Sequence, residues 1–255
     1  MSNSLQTRNY KRLSLLVVLI GGLVPFSVLW GLFYKGEKGY YIASLVTILY
    51  TLIVFMSAFE KRKPQTREIV VVAVLSALAV TGRMAFFMLP QFKPVVAIVI
   101  LSAVCLGGEI GFVVGAMTGF VSNFFFGQGP WTVWQMIAFG SIGFLAGLLA
   151  EKNMLQKNRI SLCIFGGLAT FLIYGGMMNP CSVLMFTPNP TKEALLAAYM
   201  SGCPFDLIHS GATVFFLWFL TNPMLQKLER VKKKYGLMNE FTEFIWKEDR
   251  KNDEK

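Results

Sequence analysis

The chain of 255 residues is 55% hydrophobic and 15% charged, with a mean hydropathy of +0.55, more apolar surface than a soluble domain of that length can bury. Its net charge of +10 does not mark a nucleic-acid binder, because the basic residues lie between and after the apolar runs. Four cysteines, Cys105, Cys163, Cys181 and Cys203, form no CxxC pair, which argues against a metal or redox centre; Cys181 and Cys203, candidates for one face of the membrane, are read as unpaired.

In chain order, residues 13–33 and 40–59 are uninterrupted apolar runs, each long enough to cross about 30 Å of hydrocarbon. The first is too long for a cleaved signal peptide and lacks a small-residue cleavage site. The charged stretch EKRKPQTRE, residues 60–68, reads as a linker between this two-helix preface and a six-helix body. The body's first helix, residues 69–89, carries Ala73 and Ala77 at AxxxA spacing beside Ser76. Such small residues suit either packing inside the body or a partner-binding face. Arg83 is expected about 9 Å deep in this run. It either snorkels to the surface or lines a cavity as the cation for an anionic group of a ligand. Lys93 follows in the next loop.

Val95–Leu106 is short and crosses only part of a bilayer, opening at Pro94 and stopping at Gly107 and Gly108. Residues 110–126 carry Gly111, Gly115 and Gly119, and residues 132–150 carry Gly143 and Gly147. Glycines at that spacing open grooves for a close neighbour, here read as internal packing. Glu109 complements the macrodipole at the start of its helix. Between these two spans the chain breaks into FVSNFFFGQGPWTVWQM, residues 120–136. One interfacial tryptophan needs no special account. A pair, Trp131 and Trp134, flanked by Gln128 and Gln135 with Asn123 below, is the material of a pocket for a planar, heteroatom-rich ligand. The glycine turn would then bring backbone close to a ligand stacked on the indoles.

Residues 160–178 form the next span, and residues 179–204, beginning at Asn179, a long loop. Pro204 opens a last helix to about Leu220, on which Asp206, His209, Ser210 and Thr213 share one face. The helix macrodipole alone would explain Asp206, and packing alone would explain His209, the only histidine. The stripe as a whole suits a wet cavity. The reading is an all-α, multi-pass cell-membrane protein of eight spans: a preface and linker over 1–66, a body over 67–221 and a charged tail over 222–255. Basic residues cluster before the first span, after the second, in the loop 151–159 and after the eighth. That bias predicts cytoplasmic termini and a cytoplasmic 151–159 loop, with the loops around Lys93 and Gln128 outside.

No GxxxxGK[ST] and no HExxH occurs, so the chain has neither a P-loop nor a zincin site. Ser141 in FGSIGF, with His209, resembles the nucleophile and base of rhomboid-type intramembrane serine proteases. However, Phe139 stands where a glycine is expected, and no earlier His/Asn pair is present for an oxyanion. A self-sufficient secondary transporter would need inverted repeats and broken midplane helices, which the sequence does not display convincingly.

The body resembles the substrate-binding S component of energy-coupling factor (ECF) vitamin transporters. The resemblance rests on six helices, the Ala73/Ala77 pair, MLPQFKPVVAIVI leading into a short second helix, and GEIGFVVGAMTGFVSNFFFGQGPWTVWQMIAFGSIGFLAGLL. It implies a non-enzymatic vitamin binder that takes its ligand outside and docks on a transmembrane scaffold subunit driven by two ATPase subunits. It further implies that Ala73 and Ala77 form the docking face and that no cofactor is needed. Arg83, Lys93, Asn123, Gln128, Trp131, Trp134, Gln135, Asn179, Asp206 and His209 are the candidate ligand contacts. Among S components the resemblance points to cobalamin, while Arg83 and Lys93 suit folate or a phosphorylated vitamin equally. The two preface helices depart from the family's six.

Overall fold

The computed structural model describes residues 66–187 and 191–235; the spans expected over 13–33 and 40–59 lie outside them. The described residues form α1 (Thr66–Ala85), α2 (Val95–Leu106), α3 (Gly108–Phe126), α4 (Trp131–Glu151), α5 (Arg159–Ala169), α6 (Gly176–Phe186) and α7 (Lys192–Tyr235). A π-helical turn, Thr170–Gly175, joins α5 to α6 without a break, so Arg159–Phe186 is one span. That span, α1, α3, α4 and α7 are each long and apolar enough to cross a membrane, and α2 is shorter.

α2 is apolar on every side and buried along its whole length, and it has no polar face that would have to meet water. Its one hydroxyl, on Ser102, donates to the Ile98 carbonyl at 2.7 Å. α1, α3, α4 and α7 pack around this central post. α3 and α4 meet along a glycine seam. A Cβ at Gly115 would lie 2.5 Å from the Phe139 carbonyl oxygen, and one at Gly143 would lie 2.4 Å from that of Gly111. The expected internal packing of these glycines is therefore what the seam uses.

Two sequence expectations need correction. Pro204 does not open the last helix, and 179–204 is not a long loop. α6 runs on to Phe186, and α7 starts at Lys192, passing through both Pro204 and Pro223. The start is fixed by Thr191, whose hydroxyl accepts from the Ala194 amide at 3.1 Å, and the helix-favouring KEALLAAYM continues from it. Pro180, inside α6, has no N–H for the carbonyl four residues back. That carbonyl, on Gly176, accepts the Tyr199 hydroxyl at 3.0 Å instead, which ties the start of α7 to α6.

The body has two ends. The turns at 86–94 and 127–130 share one, here termed the turn face. The turn at 152–158 and the last turn of α7, with Lys232, Lys233 and Lys234, share the other. There Lys232 donates to the Cys105 carbonyl at 3.1 Å, meeting the carbonyl end of α2 with a cation. All four cysteines are free.

Candidate ligand-binding site

Arg83 stands in the last turn of α1, because α1 ends at Ala85 rather than running to 89. The residues that follow fold into tight turns, with Phe87 and Leu89 donating to Met84 and Phe86. Phe86 then packs edge-on against Phe216 of α7, with ring centroids 5.0 Å apart. Arg83 does not snorkel. Only 8% exposed, it turns into the body, and its Nη1 donates to the Ser122 hydroxyl and, at 3.0 Å, to Asn123 Oδ1. Hydrogen bonds to a charged donor are worth about 1.5–3 kcal/mol each, enough to hold the guanidinium inward. Its Cζ lies 4.4 Å from the centroid of Phe126.

Asn123 passes this network on. Its amide donates to the Thr132 hydroxyl at 2.9 Å, and that hydroxyl donates to Gln128 Oε1 at 2.9 Å. Gln128 itself is exposed and donates to the Phe120 carbonyl. A polar chain thus runs from a buried cation to the turn that the sequence singled out. Lys93 donates to the Leu89 carbonyl at 2.8 Å. Burial, and then the charge of Arg83, hold its ammonium below the ordinary lysine value.

The centre of the site is Tyr174, which the sequence reading did not single out. Its ring stacks on Phe139 (4.9 Å, 23°) and receives the edge of His209 (4.6 Å, 88°). Its hydroxyl accepts from Gln135 Nε2 at 3.4 Å. Side chains of α4, α7 and the π turn therefore belong to one cluster. Two of its polar atoms, Gln135 Oε1 and His209 Nδ1, are buried with no hydrogen-bond partner. An unmade bond costs about 1–3 kcal/mol, so a ligand supplying the partners recovers that amount. Tyr174 lies in the π turn, and π turns gather at functional sites.

The other candidates sit around this centre. Trp131 folds its indole back over its own turn, donating to the Gly127 carbonyl at 3.3 Å and lying beside Phe186. A Cβ at Gly129 would strike its ring at 2.3 Å, so glycine is there to admit the indole. Trp134 is fully buried against Cys181 and Leu184, and its Nε1 has no partner. Asn179 donates to Asp206 Oδ2 at 2.8 Å, packed where Gly175 and Gly202 leave room. Because α7 begins at Lys192, Asp206 is well inside a helix, and the macrodipole account of it is withdrawn. Ser210 and Thr213 of the same stripe meet Gly167 and Thr170 of the α5–α6 span.

Ala73 and Ala77 are exposed on α1, as are Val74 and Leu78, while Leu75, Ser76, Ala79, Val80 and Arg83 face inward. Packing inside the described body therefore does not account for the pair. Ser141 Oγ is buried and makes no hydrogen bond, so no serine–histidine pair forms with His209.

A family model for the ECF-type riboflavin transporter, S component, matches residues 63–221. No curated protein and no solved structure matches the chain. The cobalamin expectation finds no support: the family's description names riboflavin. The long loop that suited a bulky ligand is also, in its described parts, helix apart from Thr187 and Thr191.

Proposed function

The chain belongs to the S-component family of ECF-type riboflavin transporters, and on that premise we propose that it binds riboflavin at the Tyr174 cluster. The observation that carries this reading is the pairing of aromatic faces, Phe139 and Tyr174, with two unpartnered buried polar atoms, Gln135 Oε1 and His209 Nδ1. A flat ring with ring nitrogens and carbonyls needs that combination. In this reading Arg83, Lys93, Asn123, Gln135 and His209 contact the vitamin. Gln128 and Trp131 lie at the mouth, and Trp134, Asn179 and Asp206 support the walls.

ECF S components work with a transmembrane scaffold subunit and ATPase subunits. We propose that Ala73 and Ala77, exposed on α1, are the contact for that scaffold, because small side chains let another helix approach closely. We also propose that the turn face is external and the termini cytoplasmic, which the distribution of basic residues supports.

The test is a titration of the purified protein in detergent with riboflavin, following quenching of the flavin's fluorescence. Saturable quenching is expected in the wild type. Gln135→Leu should weaken binding about tenfold, the equivalent of one lost hydrogen bond. Riboflavin fluorescence unchanged by the wild-type protein would refute the assignment.

A further inference from the structure

Riboflavin is uncharged, yet the site holds two cations. Arg83 Cζ and Lys93 Nζ lie 4.4 and 5.7 Å from the centroid of the same ring, Phe126. All the hydrogen bonds of Arg83 leave from Nη1 and end on neutral acceptors, Ser122 and Asn123. Among the described residues its Nε and Nη2 make none, and Lys93 donates only to the Leu89 carbonyl. No described carboxylate pairs with either side chain. Cation–π contact with one phenylalanine offsets little of the cost of a guanidinium that is buried and has a second cation, the half-buried Lys93, at the same ring. A ligand anion beside that ring would supply the charged partner that neither cation has among the described residues.

We propose that Arg83 and Lys93 form an anion subsite, and that this chain prefers the phosphate monoester of the flavin to the neutral vitamin. The proposal rests on the flavin reading of the Tyr174 cluster and adds the charge of the ligand to it. The guanidinium's free edge, Nε with Nη2, presents the two parallel donors that match two phosphate oxygens. Lys93, on the turn beside it, adds a point charge. Ser122 and Asn123 hold the other edge of Arg83, so its fork is oriented before the ligand arrives. The Asn123–Thr132–Gln128 chain links that orientation to the mouth.

The experiment compares the affinities of riboflavin and riboflavin 5′-phosphate for lipid-free protein in neutral detergent, at fixed ionic strength. The phosphate ester should bind about tenfold tighter or better, the size of one charge-assisted hydrogen bond. Lys93→Gln should remove most of that ratio and Lys93→Arg keep it. Lys93 lies on a turn, so these variants hold the test open even if Arg83→Gln, which unties α1 from α3, fails to fold. Riboflavin binding as tightly as its phosphate would overturn the anion subsite and leave the flavin site standing. Binding of neither flavin would overturn both. A preference abolished by phosphatidylglycerol added to the micelles would assign the cations to lipid headgroups and overturn the proposal as well.

Discussion

Adding one methyl group at Gly115 tests whether the α3–α4 seam sets the site's geometry. The new Cβ would lie 2.5 Å from the Phe139 carbonyl oxygen, 2.6 Å from its carbon and 2.8 Å from the Gly140 nitrogen. All three are backbone, so no side chain can rotate away. Restoring ordinary contact, with carbons about 3.5–4.0 Å apart, requires the helices to part by about 1 Å. Overpacking of this kind costs about 1–3 kcal/mol, or about 2–10 °C in melting temperature for a body of this size. The displaced backbone carries Phe139, whose ring stacks on Tyr174, and Gln135 one turn earlier. Riboflavin affinity should therefore fall with stability in Gly115→Ala. Gly119→Ala, whose nearest contact is 3.1 Å, should do less, and Gly211→Ala, with nothing within 4 Å, should be neutral or stabilise by up to about 1 kcal/mol. Thermal unfolding in detergent and flavin titration of the three variants give the comparison. If Gly115→Ala melts and binds like Gly211→Ala, the backbones do not touch as described.

Trp134→Ala should destabilise by about 3–5 kcal/mol, because it empties a fully buried indole site beside Cys181 and Leu184. Trp131→Ala, at the half-buried mouth, should mainly weaken flavin affinity; unchanged melting in the former would refute the packing role. Replacing Ala73 and Ala77 together by Trp should abolish co-purification with scaffold and ATPase subunits while riboflavin still binds, whereas wild-type recovery of the complex would assign that face to lipid. In a cysteine-free background on intact cells, an impermeant thiol reagent should modify a cysteine at Thr191 and spare one at Lys157; the reverse labelling would invert the topology.

Much of the candidate site was legible from residue types alone. Arg83, Asn123, Gln135 and His209 stand out because polar side chains are costly in an apolar span and mark function there. Tyr174 and Phe139 did not stand out, since aromatic residues are ordinary in such spans and nothing in TFLIYG announces a π turn. The start of α7 was misplaced because proline was read as a helix opener. A proline inside a helix forfeits one hydrogen bond locally, and the helix continues where its flanks favour it, as KEALLAAYM does here.

By itself the sequence determined the membrane class, the described spans to within a few residues except at α6 and α7, and the glycine seam. These follow from composition and from spacing along one chain, which are local quantities. Only the tertiary structure decided that Arg83 points inward, that Ala73 and Ala77 point outward, and that Tyr174 lies at the centre of the cluster. Direction around a helix axis is set by what packs beside it. One extra residue in the turn Thr170–Gly175 rotates every later side chain of that span by about 100°, a change that the apolar pattern of the sequence does not record.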